Sequence, residues 1–131
     1  MNKDQRQPIA LITGASAGIG LELTRTLLSE DWQVAALNRS DFPSDDIGIH
    51  SAIKNGSLRI YKTDDLADYD SLRRTLDEIK SKERQIDIVF NNAGGSFPKL
   101  SYSKQGREKH YELMTVVPYI IVAELKELLK E

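Results

Sequence analysis

A glycine-rich stretch near the start of the chain has the residue types and the spacing needed to hold a phosphate. It runs Thr13-Gly14-Ala15-Ser16-Ala17-Gly18-Ile19-Gly20 and joins a short apolar run to a helical pattern. Glycines let the backbone turn sharply and approach a ligand, and the first turn of a helix offers free N–H groups and a positive partial charge. The stretch therefore predicts a site for the pyrophosphate of a dinucleotide.

Polar residues also follow three later apolar runs of the chain. These polar residues begin the segments Asn38-Arg39, Asp65-Leu66 and Asn91-Asn92-Ala93-Gly94. An open α/β sheet binds its ligand outside the carboxyl ends of its parallel strands. If the four runs are parallel strands, their ends form one composite site.

The elements that must position these residues alternate between strands and helices. The predicted strands are Ile9–Thr13, Gln33–Leu37, Ser57–Lys62 and Ile86–Phe90. The predicted helices are Gly18–Ser29, Asp70–Lys82 and a long helix over 107–131 that Pro118 kinks. This alternation implies right-handed crossovers between parallel strands. The predicted fold class is a doubly wound α/β fold, with about four strands and helices on both faces.

Two helices carry finer local signals. In the first, Ile19, Leu23 and Leu27 share one face, which we expect to pack on the sheet. Between Asp41 and Gly56 a further helix is predicted, with Ser44 as its N-cap, Asp45 and Asp46 in its first turn and Asn55-Gly56 as its stop signal.

The composition excludes several classes of function. The 131 residues predict one domain, and a net charge of −2 without a basic stripe argues against a nucleic-acid partner. The chain has no cysteine, and His50 and His110 have no ligand-like neighbours at metal spacing. The longest nearly apolar run, Leu113 to Ala123, is far short of the ~20 residues of a membrane span. We expect a soluble, cytoplasmic protein without a metal or a membrane partner.

In its motifs the sequence resembles the short-chain dehydrogenase/reductase family, from Ile9 to about Leu125. The resemblance rests on Thr13-Gly14-x-x-x-Gly18-x-Gly20, Asp65-Leu66 and Asn91-Asn92-Ala93-Gly94, in the family's order and each at a strand end. It implies a Rossmann-like fold and hydride transfer between a nicotinamide dinucleotide and a carbonyl or alcohol. It covers the family's N-terminal, cofactor-binding half, which we expect to span residues 1–131 as a single domain.

The same resemblance implies which residues bind the cofactor. They are Gly14, Ala15, Ser16, Ala17, Gly18, Ile19, Gly20, Asn38, Arg39, Asp65, Leu66, Asn92, Ala93 and Gly94. Within the last motif, Asn91 is expected to bridge backbone groups of neighbouring strands, while Asn92 lies nearer the cofactor.

Asn38 and Arg39 predict NADP rather than NAD as the cofactor. An NAD site usually has an acid at the end of the second strand, where this chain has Asn38. The guanidinium of Arg39 can bind a 2′-phosphate bidentately. Asp41 is the nearby acid that could oppose this preference.

The catalytic residues that the family implies are absent from the chain. The family uses a Ser and a Tyr with a Lys four residues later, and no tyrosine of this sequence is followed by lysine at that spacing. Met114 falls where the family has an Asn. We therefore expect no turnover by this chain alone, and a non-catalytic module that senses or stores a dinucleotide is the alternative.

The long predicted helix is apolar nearly all round between Leu113 and Ala123. Such a helix is normally buried on all sides. The fourth strand would also leave an open, apolar edge. Either another copy of the chain covers these surfaces, through the 107–131 helix and the sheet edge, or the chain is a piece of a longer protein.

A serine hydrolase is a remote alternative. Gly14-Ala15-Ser16-Ala17-Gly18 also matches the nucleophile motif G-x-S-x-G, which lies on a strand–turn–helix. This hypothesis needs a downstream acid and then a histidine as base, for which only His50 and His110 exist. It leaves the Asn-Asn-Ala-Gly motif unexplained.

Overall fold

A computed structural model of the chain describes residues 6–92, 104–106 and 115–129. Four parallel strands form one sheet in the order β3-β2-β1-β4. The strands are β1 (Ile9–Thr13), β2 (Gln33–Asn38), β3 (Leu58–Lys62) and β4 (Ile88–Phe90). The helices are α1 (Gly18–Ser29), α2 (Ile47–Asn55), α3 (Tyr69–Lys82) and α4 (Val117–Glu124). The predicted doubly wound α/β fold is confirmed.

The strand register brings the carboxyl ends of the strands to one edge of the sheet. Thr13 of β1 lies opposite Leu37 of β2, and Asn38 lies opposite Lys62 of β3. On the other side of β1, Ile12 lies opposite Phe90 of β4. The residues that follow these strands therefore share one edge, as the sequence predicts.

Alternating strand residues feed two separate cores, one on each face of the sheet. One core joins strand residues such as Leu11 and Leu37 to α3 and α4. The other joins residues such as Ile12 and Ala36 to α1 and α2. Both faces of the sheet are thus covered, which is how a parallel sheet is normally buried.

The second helix begins two residues later than its predicted cap requires. Asp46, not Ser44, is the N-cap residue, and its side chain accepts a hydrogen bond from the Ile49 N–H at 3.0 Å. Its carboxylate also binds Arg25 of α1, which holds the cap in place. The predicted stop is confirmed, because Gly56 takes the left-handed conformation with φ 87°.

The predicted buried face of α1 is partly wrong. Ile19 is 80% exposed, while Gly20, Leu21 and Thr24 are the buried residues of the helix. Leu23 and Leu27 pack only partly against the core. The helix packs this way because Gly20 lies against the turn that precedes it, which rotates Ile19 outward.

The single long helix predicted over 107–131 is also partly wrong. Residues 107–114 lie outside the described ranges, and the regular α-helix ends at Glu124. Pro118 lies in the first turn of α4, and Val116, which precedes α4, is itself in a helical conformation. The predicted kink at Pro118 lies next to residues outside the described ranges and stays a prediction. Beyond α4 the chain turns, and the Leu128 carbonyl accepts a hydrogen bond from the Ile86 N–H at 2.8 Å.

One side of α4 and the edge of β4 present apolar side chains to solvent. Val117 and Ile121 are buried against the sheet, whereas Tyr119, Val122 and Ile88 are exposed. The open edge of β4 is confirmed, since β4 pairs only with β1 among the described strands. That a second copy covers this surface stays a prediction.

None of the helices that the structure describes is long and apolar enough to cross a membrane.

Candidate functional site

The glycine-rich turn connects β1 to α1 through two left-handed residues. Gly14 has φ 66° and Gly18 has φ 57°, values that residues with a Cβ rarely adopt. The Gly14 N–H donates to the Leu37 carbonyl at 3.1 Å, so the turn is anchored to the end of β2. The two glycines thus let the backbone reverse at the carboxyl edge of the sheet.

A third glycine, Gly20, allows α1 to approach this turn closely. A Cβ at position 20 would lie 2.1 Å from the Gly14 carbonyl oxygen and 2.6 Å from Nδ2 of Asn92. Nδ2 of Asn92 also donates to that same carbonyl at 3.0 Å. The carbonyl of Gly14 is therefore held between the helix and the end of β4.

The amino end of α1 carries no side-chain cap. Its N-cap residue is Ala17, whose backbone is extended and which has no oxygen to accept from the helix. The first intrahelical bond there runs from the Leu21 N–H to the Ala17 carbonyl. The earlier N–H groups, from Gly18 to Gly20, have no side-chain acceptor among the described residues, which leaves the helix end suited to an anion.

Asn38 connects the end of β2 to the glycine-rich turn. Its Oδ1 accepts a hydrogen bond from the Ala15 N–H at 2.8 Å, and its side chain is almost fully buried. Its Nδ2 is buried and has no hydrogen-bond partner among the described residues. A buried donor without a partner costs free energy, so this atom is a candidate donor to a ligand at this edge.

Arg39, next to Asn38, is an exposed cation at this edge. No side-chain hydrogen bond or ion pair engages its guanidinium within the ranges that the structure describes. An ion pair joins the end of β3 to the segment that follows β2: Nζ of Lys62 lies 2.6 Å from Oδ1 of Asp41.

Asp65 and Leu66 lie in the segment that follows β3. Oδ1 of Asp65 accepts from the Ala67 N–H at 2.9 Å, which closes a turn of the Asx kind. The Leu66 side chain is buried in the core beneath α3 and α4. Only the backbone of Leu66 is therefore placed to contact a ligand at the surface.

The bridging role expected of Asn91 is wrong for the part of the chain that the structure describes. There it is Asn92 that bridges neighbouring strand ends, through its bond to the Gly14 carbonyl. That Asn92 lies nearer the cofactor stays a prediction. The chain turns sharply here, since the Asn92 N–H donates to the Phe90 carbonyl, and this aims Asn92 at β1. Ala93 and Gly94 lie outside the described residues.

The described geometry gives no support to the hydrolase hypothesis. The hydroxyl of Ser16 has no histidine partner among the described residues. His50 lies on α2, and His110 falls outside the described ranges. No group of three or more potential metal ligands occurs in the part of the chain that the structure describes.

The parallel sheet and its flanking helices define an α/β protein with Rossmann-like topology. The family model of the short chain dehydrogenases matches residues 8–130. The chain therefore belongs to the short-chain dehydrogenase/reductase family.

Individual relatives agree with this assignment. A short-chain dehydrogenase/reductase of Armillaria gallica is 33% identical over 79% of this chain and 34% of its own length. The NADPH-dependent 1-acyldihydroxyacetone phosphate reductase of Saccharomyces cerevisiae is 32% identical over 98% of this chain and 44% of its own length. This chain thus spans less than half the length of these two relatives.

Solved structures show the same fold. The structure of a Pseudomonas aeruginosa RhlG/NADP active-site complex superposes with a TM-score of 0.70 at 26% identity. The alignment covers 95% of this chain and 48% of that one.

Proposed function

We propose that this chain is the NADP-binding part of a short-chain oxidoreductase. In the parent reaction, a hydride passes from NADPH to the carbonyl carbon of a substrate and a proton passes to its oxygen, giving an alcohol and NADP⁺. The observation that carries the proposal is the hydrogen bond by which Asn38, at the end of β2, holds the glycine-rich turn that leads into the uncapped end of α1.

The glycine-rich turn is suited to the pyrophosphate. The free N–H groups at the start of α1 donate to phosphate oxygens, and the helix dipole favours their negative charge. Ser16 and Ala17 lie in this turn before Gly18. The exposed Ile19 side chain lies at the mouth of the site and offers an apolar surface to the cofactor.

The buried Nδ2 of Asn38 supports a ligand at this edge. It lacks an acceptor among the described residues, although Oδ1 of the same amide is bound to the Ala15 N–H. A small adjustment of the edge would let a ribose oxygen satisfy this donor. The proposed site also includes Asp65, Leu66 and Asn92, and the sequence motif after β4 adds Ala93 and Gly94.

Arg39 is the proposed recognition residue for the 2′-phosphate of NADP. Its guanidinium is exposed and unengaged among the described residues, so binding a phosphate breaks no existing ion pair. The names of the yeast relative and of the Pseudomonas complex, which include NADPH and NADP, support this choice of cofactor.

This chain alone is proposed to bind the cofactor without turnover. A proton donor at the substrate carbonyl is required, and the family's Tyr-x-x-x-Lys pair does not occur in the 131 residues.

Arg39→Ala tests the choice of cofactor. We expect it to weaken NADPH binding by about tenfold or more and to change NADH binding little, because a hydrogen bond to a charged group contributes about 1.5–3 kcal/mol. Dissociation constants come from nicotinamide fluorescence titrations of the purified chain.

Arg84→Ala is the matched control for this substitution. Arg84 is exposed and lies between α3 and β4, at the amino edge of the sheet and away from the proposed site. It should leave the binding of both cofactors unchanged. Equal losses of NADPH and NADH in Arg39→Ala would refute the phosphate role of Arg39.

A further inference from the structure

A second cation lies on the strand next to Asn38. Lys62 is the last residue of β3, and its Cα is the register partner of Asn38 at the end of β2. The Thr63 N–H donates to the Asn38 carbonyl at 2.9 Å, so the two strand ends stay paired beyond this position. Lys62 is therefore fixed at the same height in the sheet as the residue that precedes Arg39.

Lys62 and Asn38 also share one face of the sheet. Side chains alternate along a strand, so Lys62 lies on the face of Ile60 and Asn38 on the face of Ala36. Both Ile60 and Ala36 contribute to the core beneath α1 and α2. From this face Asn38 reaches the Ala15 N–H in the glycine-rich turn. Lys62 therefore lies beside Asn38 on the neighbouring strand, on the same face of the sheet.

The amine of Lys62 is engaged by one carboxylate. Its Nζ lies 2.6 Å from Oδ1 of Asp41, and the two side chains are 51% and 79% exposed. Asp41 comes two residues after Arg39 and is the acid that could repel a 2′-phosphate. Because the pair is exposed to water, it contributes little to stability and can exchange partners at low cost.

We propose that Lys62 is a second specificity residue for the 2′-phosphate of NADP, and that Asp41 competes with the phosphate for it. This inference rests on the proposed function of the site. A phosphate dianion carries more charge than a carboxylate and offers three acceptor oxygens. The ammonium group of Lys62 donates hydrogen bonds only, so it can leave the Asp41 carboxylate for the more highly charged phosphate.

The exchange affects only the phosphorylated cofactor. With NADH bound, no phosphate competes for Lys62, and its pair with Asp41 stays as it is in the free protein. With NADPH bound, Lys62 and Arg39 share the phosphate between neighbouring strand ends. The ratio of the two affinities is therefore set by three side chains rather than by Arg39 alone.

Lys62→Ala and Asp41→Asn give opposite expected results. Lys62→Ala should weaken NADPH binding by about tenfold, because it removes one charge-assisted hydrogen bond and leaves Asp41 free to repel the phosphate. Asp41→Asn should tighten NADPH binding by about threefold, because Lys62 loses its competitor. Neither should change NADH binding by more than about twofold, within the usual scatter of surface substitutions.

Two further variants test whether charge at this position is the cause. Lys62→Arg keeps the charge and should retain most of the preference for NADPH. Lys82→Ala removes a lysine of a comparable exposed pair, Lys82–Glu78, near the far end of α3, and should change neither affinity. Circular dichroism of each variant confirms that it is folded, and fluorescence titration measures both dissociation constants.

The outcomes separate this inference from the proposed function. If Arg39→Ala loses NADPH selectively but Lys62→Ala loses nothing, or loses both cofactors equally, Lys62 has no role in specificity and the inference is wrong. If the unsubstituted chain binds neither cofactor at millimolar concentration, the proposed function itself is wrong. A weaker NADPH affinity in Asp41→Asn would also contradict the competition.

Discussion

Gly20→Ala is expected to destabilise the chain by about 2–3 kcal/mol and to abolish measurable dinucleotide binding. The new Cβ would lie 2.1 Å from the Gly14 carbonyl oxygen, and that oxygen is backbone, which cannot rotate away like a side chain. Either α1 moves off the turn or the turn itself changes. In both cases the Asn92 bond to the same carbonyl is lost, together with the alignment of the helix N-terminus.

Gly48→Ala is the control for this substitution. Gly48 lies in α2, and a Cβ there would meet only Oδ1 of Asp46, at 3.7 Å. Since alanine favours a helix over glycine by about 0.5–1 kcal/mol, this variant should be slightly more stable than the original chain. Urea denaturation measures both changes. If the Gly20→Ala chain is as stable as the Gly48→Ala chain, α1 has room for a Cβ at position 20 and the prediction is wrong.

Glu83→Gln is expected to destabilise the chain by about 2–4 kcal/mol, since it leaves a positive charge without its partner in a largely buried place. The Glu83 side chain is 2% exposed at the end of α3. Nε and Nη2 of Arg59 donate to its two oxygens at 2.6 and 2.8 Å, and the Tyr61 hydroxyl donates to it as well. These hydrogen bonds join β3 to the end of α3 at the amino side of the sheet, away from the proposed site.

The pKa of Glu83 gives this effect a pH dependence. Burial alone would raise the pKa, but the hydrogen bonds from Arg59 and Tyr61 outweigh it, and the pKa lies below the ordinary value of 4.5. A carboxyl whose folded-state pKa is depressed stabilises the protein above its unfolded-state pKa, and this contribution disappears as the pH falls through the folded-state value. The difference in the free energy of unfolding between the original chain and Glu83→Gln should therefore be largest at neutral pH and should shrink below about pH 4.

Glu78→Gln is the matched control on the same helix. Glu78 forms an exposed pair with Lys82 at 2.9 Å, and exposed pairs contribute only about 0–1 kcal/mol. Urea denaturation across pH 3 to 8 compares the two variants. Equal, small losses at neutral pH would mean that the Arg59–Glu83 pair is no more important than a surface pair.

Much of the fold could be predicted from the sequence because its signals are local. Strand β1 and helix α1 have the predicted bounds, and the stop at Gly56 depends on one residue and its φ angle. The glycine-rich turn was also predictable, since Gly14 and Gly18 take left-handed conformations that other residues avoid. Alternation of such elements is enough to indicate a parallel sheet.

The errors and omissions come from contacts between distant residues. The outward rotation of Ile19 follows from the approach of Gly20 to Gly14 and Asn92, and Asn92 is remote from both in the sequence. Helical periodicity depends only on residues that are close in the sequence, so it does not predict such a contact. The choice of Asp46 over Ser44 as cap likewise depends on Arg25 of another helix.

The pairs formed by Lys62 with Asp41 and by Arg59 with Glu83 were not predictable either. Each joins charged residues from different elements, and neither pair has a characteristic spacing. The sequence does place Asn38, Arg39 and Lys62 at strand ends. Only the register of β2 and β3 reveals that Asn38 and Lys62 lie side by side.

Titration of the unsubstituted chain with NADPH and NADH tests the central claim most directly. The readout is the enhancement of nicotinamide fluorescence, with isothermal titration calorimetry as a second measure. We expect saturable binding of NADPH with a dissociation constant in the micromolar range and weaker binding of NADH, as for a site that holds a pyrophosphate and reads a 2′-phosphate. Absence of binding of either cofactor at millimolar concentration would contradict the account.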